Sequence, residues 1–220
     1  MSMTRIVVLA NSWKHQDWCL AGIDMATMKW VRPVTDLSDG RIPQSDMKLD
    51  GYFPVIGDVL EIPLGASGPD FGFESENRSI LPGDWRHCGK VKAANISKHA
   101  KRPYYVLHNS KRYVSPEELQ RKPFEKRTTL ELIHVDGLRI KDDRKSSGDK
   151  SNWKGIMPCA GGEIDVKITD PVFCEKLDKG HKRSGPCVLT MSLSMPFKPA
   201  GWDEAVCWKL IAGVIELPES

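Results

Sequence analysis

The sequence predicts a mainly β chain with little helix, folded as two small β-barrels in tandem. Three observations lead to this prediction. Apolar or alternating runs of strand length recur along the whole 220-residue chain. Glycine and proline, with 18 and 15 residues, punctuate those runs. One segment alone carries a clear helix-start signal.

The N-terminal third is predicted to form strands joined by turns. Residues 6–10 are a continuous apolar run typical of a buried strand, and residues 11–14 are predicted to form a polar turn. Residues 18–23 and 30–34 follow as two more strands across a hairpin connection. Pro33 has no amide hydrogen, which places the third strand at an edge or end. A fourth strand is predicted at 59–64, followed by a long loop over 65–84.

The helix signal lies in the middle of the chain. Ser115 is suited to the N-cap, Pro116 to the first helical position, and Glu118 completes a capping box. The predicted helix, residues 116–121, is short because Pro123 follows. It divides the chain into two predicted barrels, residues 1–125 and 126–220.

The second half repeats the strand pattern. Residues 130–135 and 138–140 flank Asp136-Gly137, a strong hairpin dipeptide. Further strands are predicted at 163–168, 187–193 and 208–217, while 172–177 reads as a short strand or a helical turn. About five strands in each half favour two OB-like barrels, with one large sandwich as the structural alternative.

Composition sets limits on function. The formal net charge is only +3, yet residues 1–75 hold six basic and ten acidic side chains, whereas residues 76–125 hold eleven and five. The six cysteines show no CxxC spacing, which predicts reduced thiols in a cytoplasmic protein without a metal or cofactor. Neither a signal peptide nor an apolar run of ~20 residues is present, so no membrane association is predicted.

Several short segments, in order along the chain, carry a family resemblance. They are Ala10-Asn-Ser-Trp-Lys14, Cys19-Leu-Ala-Gly-Ile-Asp24, Trp30-Val-Arg-Pro-Val34, Gly57-Asp-Val-Leu-Glu61, Thr169-Asp-Pro171 and Trp208-Lys-Leu-Ile-Ala-Gly-Val214. Through them the chain resembles the dual OB-containing domain family of small prokaryotic proteins. The resemblance implies two OB folds in one compact unit, with nucleic-acid binding as the usual expectation. Trp13 departs from the family pattern, which has an arginine-like position there.

The strongest candidate for binding is the basic-aromatic stretch 98–113. It contains no acidic residue. Cations suit the phosphates of a single strand, and rings stack on its bases. The alternative is a solvated loop or strand pair whose tyrosines pack in the core. The predicted contacts are Lys98, Lys101, Arg102, Tyr104, Tyr105, Lys111 and Arg112, with Tyr113 as a further ring.

Two smaller clusters are weaker candidates. Ser12, Lys14 and Arg32 are predicted near strand ends, where they would suit a phosphate. The loop 179–185 supplies Lys182 and Arg183. In both clusters the alternative is that the polar side chains bond backbone groups of a turn and the charged side chains are solvated.

Enzyme motifs are missing from the sequence. There is no Walker A loop, GxGxxG, GxSxG or HExxH pattern, and the zinc-deaminase pair is incomplete. The predicted function is therefore non-enzymatic binding of nucleic acid, with a single strand of DNA or RNA favoured. A protein-interaction subunit of a larger assembly is the first alternative. An enzyme that assembles scattered carboxylates is the second.

Overall fold

The computed structural model describes residues 3–14, 17–47, 49, 51–144, 150–182 and 185–218, without the side chains of Trp13 and Lys14. The strands of the first sheet are β1 (Met3–Lys14), β2 (Asp17–Asp24), β3 (Trp30–Val34), β4 (Asp58–Pro63), β5 (Asn77–Ser79) and β6 (Arg86–Lys90). Their order across the sheet is β5-β3-β2-β1-β4-β6. The long strand β1 is central, because it pairs with β2 on one side and β4 on the other.

The second sheet is built from the rest of the chain. Its strands are β7 (Tyr113–Val114), β8 (Leu130–Val135), β9 (Arg139–Asp142), β10 (Trp153–Cys159), β11 (Gly162–Ile168), β12 (Cys187–Leu193) and β13 (Cys207–Glu216). The order is β8-β12-β13-β11-β10-β9, and β7 pairs with β13. The prediction of a mainly β chain is confirmed, and the two sheets are consistent with the predicted pair of OB-like units. The domain boundary at residue 125 stays a prediction, although Val114 and Leu119 already pack in the core of the second sheet.

Among the described residues, the strands are connected by three short α-helices, α1 (Ala93–Ser97), α2 (Pro116–Gln120) and α3 (Pro171–Asp178). Two single-turn 3-10 helices lie at Gln44–Asp46 and Phe124–Lys126. The predicted cap of α2 is confirmed, since Ser115 Oγ accepts a bond of 3.1 Å from the Glu118 amide. Residues 172–177 belong to helix α3, which Asp170 caps in the same way. None of the helices in the described ranges combines the length and apolar composition needed to cross a bilayer.

Two local predictions are wrong. The polar turn at 11–14 does not form there, because β1 continues to Lys14 and Ser12 pairs with Cys19 across the hairpin. Asp136-Gly137 does not close a hairpin either. Strand β8 pairs with β12, and β9 pairs with β10. The strong local turn signal is overridden because both strands find longer partners elsewhere in the sheet.

The two sheets meet where β1 approaches β13. Each of these strands carries a β-bulge, at Leu9 and at Ala212. The hydroxyl of Thr190 donates a bond of 2.6 Å to the bulged Leu9 carbonyl. Gly213 lies directly against the same carbonyl, and a Cβ there would also stand 2.9 Å from Ile56. The close approach of the two backbones therefore requires glycine.

Replacing Gly213 with alanine is expected to destabilise the fold by about 1–3 kcal/mol, because the added methyl overlaps backbone that cannot move aside. Gly162→Ala is the matched control, since the nearest atom to its added Cβ is 3.8 Å away. Thermal unfolding of the two variants measures the difference. Equal melting temperatures would contradict this account of the junction.

A buried polar cluster adds a second link between the halves. Arg32 on β3 pairs with Glu74, and its other terminal nitrogen donates 3.1 Å to the Thr129 hydroxyl. Glu76 accepts from the Thr129 amide at 2.6 Å and from its hydroxyl at 3.0 Å. Asn77 donates 2.6 Å to Glu74. The segment 65–84, predicted as a loop, therefore holds a strand and buried carboxylates.

Candidate nucleic-acid interface

The basic-aromatic stretch 98–113 does not form one continuous surface. Lys101 lies at the edge of β8, where it bridges Ile133. Arg102 beside it makes two bonds to Asp136, of 2.6 and 2.8 Å. The far end of the stretch, from Lys111 onward, reaches β13, which lies two strands away from β8 in the sheet. The stretch therefore presents its cations at separate places around the second sheet.

A tight turn bends the stretch in its middle. Leu107 and His108 have φ values of +44° and +82°, unusual for residues with a side chain. Two contacts hold the turn: the Leu107 amide donates 2.8 Å to Glu131, and the His108 ring bonds Thr128 O at 2.6 Å. The turn sends the chain back toward β13.

Lys209 fixes the end of that turn. Although it is a lysine, it is only 2% exposed, and its Nζ donates to the Asn109 carbonyl at 2.6 Å and to Asn109 Oδ1 at 3.0 Å. Burial lowers the pKa of Lys209 to about 8. Its backbone amide donates 2.9 Å to the Arg112 carbonyl. Lys209 thus anchors the segment that carries Lys111 and Arg112.

Three aromatic rings gather beside this anchored segment. The centroid of Tyr113 lies 5.1 Å from that of Trp202 and 5.6 Å from that of Trp208, and the two tryptophans are 5.6 Å apart. Lys111 lies over the Tyr113 ring at 5.6 Å. Trp202 is 37% exposed, and Phe197 on the adjoining loop is 61% exposed. Large rings with this exposure are available for stacking.

Cations surround Asp165 on the same face. Arg112 lies 2.5 Å from the Asp165 carboxylate, and Lys141 and Lys154 each lie 3.5 Å from it. Burial opposes ionisation of Asp165, but the three cations outweigh it and hold the pKa of this carboxyl below its usual range. Lys154 and Lys141 also contact Asp143, at 2.5 and 3.6 Å. Three cations therefore share two acids, which leaves one net positive charge.

A cleft of about 720 Å³ joins the rings to the cations. Strand β11 contributes Lys167, β10 contributes Lys154, and the loop before β13 contributes Phe197. We name this surface the ring-and-cation face and define it by Lys111, Arg112, Tyr113, Lys154, Lys167, Phe197, Trp202 and Trp208.

The other predicted contacts lie elsewhere. Tyr104 and Tyr105 touch each other at 4.8 Å and are exposed. Tyr104 lies beside the β10–β11 turn, where its carbonyl accepts from the Ala160 amide at 2.8 Å. Lys98 is exposed at the end of α1 and bonds Asn95 at 3.3 Å. Lys182 is exposed near the end of the described segment 150–182. Arg183 and the Lys14 side chain lie outside the described residues.

Arg32 and Ser12 do not come together at an open strand end. Arg32 is enclosed, and both terminal nitrogens of its guanidinium bond protein groups. Burial disfavours its charge, but Glu74 and Glu76 outweigh that effect and raise the pKa of Arg32. Ser12 is half-buried within the β1–β2 hairpin. The geometry gives Arg32 a role in joining the halves, so we leave it out of the proposed surface.

Several members of the ring-and-cation face were missed from the sequence. The sequence gives no binding signal at Trp208, Phe197, Trp202, Lys154 or Lys167. Alternation along β13 does place Trp208 opposite Lys209, but a lysine is normally expected on the solvent side. Here the lysine is buried and the tryptophan faces outward.

The architecture defines a class of protein. Two largely antiparallel β sheets in tandem are the architecture of a protein with two OB-type units. The family model of the dual OB-containing domain matches residues 4–214, and the chain belongs to that family. A search of curated proteins found no match. Membership indicates binding of nucleic acid or protein in general.

Proposed function

We propose that this protein binds single-stranded nucleic acid across the ring-and-cation face. The observation that carries the proposal is the shared cleft, in which Trp208 and Phe197 lie beside Arg112, Lys154 and Lys167. Rings stack on bases of any identity, and cations follow the phosphates of either DNA or RNA. Binding of this kind has little sequence preference and weakens with salt.

A protein partner is the second candidate for the same face. Met195, Pro196 and the exposed ring of Phe197 form an apolar rim along the cleft. Exposed apolar rings occur at protein interfaces as well as at nucleic-acid sites. The cations around Asp165 favour the nucleic acid, because an apolar partner would have to desolvate them.

The structure supplies a matched pair of charge variants within one stretch of sequence. Lys111→Gln with Arg112→Gln removes two cations from the ring-and-cation face. Lys101→Gln with Arg102→Gln removes two cations from the β8 edge. Arg112 can be replaced without isolating Asp165, since Lys141 and Lys154 remain beside that carboxylate. The two double variants have equal net charge. Any difference in their oligonucleotide affinity therefore depends on where the removed cations lie.

The first double variant is expected to lower the slope of log affinity against log salt by about 1.4, since each phosphate contact on a single strand contributes about 0.7. The second is expected to change that slope little. Fluorescence anisotropy of a labelled oligonucleotide of about 15 residues, repeated at several salt concentrations, measures the slope for each double variant. Equal slopes for the two variants would place binding elsewhere, and capture of a partner protein that survives nuclease treatment would favour the second candidate.

A further inference from the structure

An apolar pocket of about 180 Å³ opens where β1 and β2 of the first sheet meet β8 of the second. Leu9 on β1, Ile96 on α1 and Leu132 on β8 are buried and line its floor. All of the lining residues except Asn95 and His99 are apolar. An apolar cavity of about 150 Å³ accommodates a benzene ring. The pocket therefore has room for one phenyl or leucyl side chain.

Two exposed methionines stand at the mouth of the pocket. Met25 and Met28, between β2 and β3, are 47% and 53% exposed and line it. Asp24 holds this connection, since its Oδ1 accepts from the Ala26 amide and its carbonyl from the Met28 amide, each at 2.8 Å. Methionine side chains are flexible and adapt to apolar partners of different shape. The connection thus presents adaptable apolar surface beside an apolar pocket.

The pocket continues into an adjoining cleft of about 390 Å³. Ile23, Met28, His99 and Leu132 line both spaces, so the two form one groove. Glu131, an acidic residue that lines the cleft, already accepts a backbone amide at 2.8 Å. No residue of the ring-and-cation face lines this groove. The groove is separate from that face and is larger than one side chain requires.

The border of the groove is positively charged. The chain has no acidic residue from 85 to 116. Lys92 and Lys98 at the two ends of α1 and Lys29 before β3 are exposed, and none of the three pairs with a carboxylate among the described residues. The Lys98 ammonium donates 3.3 Å to Asn95 Oδ1, which places this cation beside the pocket. A ligand with carboxylates would complement this border.

A nucleobase fits the pocket poorly. Each base carries several N–H and C=O groups at its edges, and a pocket with two polar lining residues would leave most of them unpaired. Burying unpaired polar groups is unfavourable. A phenyl or branched aliphatic side chain has no such groups, and its burial is favourable.

We propose that this groove binds an acidic segment of a partner protein, with one phenylalanine or leucine side chain in the pocket and carboxylates beside the lysines at its border. Recognition through an apolar anchor with charged flanks is a common mode for short peptide segments. The proposal is independent of nucleic-acid binding at the ring-and-cation face.

The test uses labelled peptides of about ten residues, in which aspartates and glutamates surround one phenylalanine or leucine. Fluorescence anisotropy measures their affinity for the full chain. Replacing the central residue of the peptide with alanine is expected to weaken binding by about 10-fold or more. Replacing the acidic residues of the peptide with lysine is expected to abolish binding. If neither anchored peptide binds more tightly than the alanine peptide, the proposal is wrong.

A variant at the mouth assigns the binding to the pocket. Met28→Glu places a carboxylate beside the anchor and is expected to weaken binding by about 10-fold. Met3→Glu is the control, because Met3 is 39% exposed and does not line the groove. Thermal unfolding checks that both variants fold, and Met25→Glu replaces Met28→Glu if the latter does not.

A second pair of variants tests the charged border. Lys92→Gln with Lys98→Gln is expected to weaken binding of the acidic peptide by about 3-fold or more. Lys150→Gln with Lys182→Gln removes the same charge from exposed positions that do not line the groove, and it is expected to have little effect. Peptide affinity that is unchanged by the folded mouth variant, or equal for the two lysine pairs, would overturn the proposal.

Discussion

Replacing Trp202 with alanine is expected to weaken single-strand binding by about 5- to 150-fold, since base–ring stacking contributes about 1–3 kcal/mol. Trp202 is the exposed member of the three-ring cluster, and it contacts both Tyr113 and Trp208. Its removal takes away one stacking surface. It also removes a packing contact from both Tyr113 and Trp208. Adding Phe197→Ala removes a second exposed ring from the same face and deepens the loss.

Phe124→Ala is the control for general loss of an exposed ring. Phe124 is 49% exposed and contacts Arg127 away from the three-ring cluster. Its replacement is expected to leave oligonucleotide affinity unchanged. Circular dichroism confirms that each variant is folded before affinities are compared. If folded Trp202→Ala and Phe197→Ala variants bind as tightly as the parent chain, these rings do not stack on bases.

Replacing Arg32 with alanine is expected to cost about 3–5 kcal/mol of unfolding free energy, because it leaves buried carboxylates without their cation. Glu74 and Glu76 are 4% and 7% exposed. Burial raises the pKa of Glu76, and Arg32 counteracts that effect. The Arg32 side chain also bonds Thr129, so the loss affects the link between the two halves.

Arg5→Ala is the comparison for a surface ion pair. Arg5 pairs with Glu61 at 3.1 Å, but its side chain is 62% exposed, and such pairs contribute about 0–1 kcal/mol. Urea unfolding of both variants measures the two free energies. A loss below about 1 kcal/mol for Arg32→Ala would show that the buried carboxylates of Glu74 and Glu76 do not depend on Arg32 for charge compensation.

Local signals predicted much of the fold. Apolar or alternating runs located β1, β4, β8 and β13, since burial of one or both faces leaves a pattern in the sequence. The cap at Ser115 located α2, because capping is a contact within four residues. The pairing of the strands was harder to predict from local sequence than their positions. Asp136-Gly137 marked a turn, but only the competition among β8, β9, β10 and β12 decides which strands pair.

The site was predicted in part for a similar reason. Composition drew attention to the stretch 98–113, but its fold in space depends on the turn at Leu107-His108 and on Lys209, a hundred residues from Asn109. Arg32 looked like a phosphate ligand because its partners, Glu74 and Thr129, are distant in sequence. Long-range pairing of charge leaves no local pattern.

The most direct measurement is the affinity of the unmodified protein for a labelled single strand at two salt concentrations. Three to five phosphate contacts predict that affinity falls by about 20- to 130-fold between about 50 and 200 mM salt. A duplex of the same length is expected to bind more weakly, since its bases are not free to stack on the rings. Absence of single-strand binding at the lower salt concentration would contradict the account, as would binding that salt does not weaken.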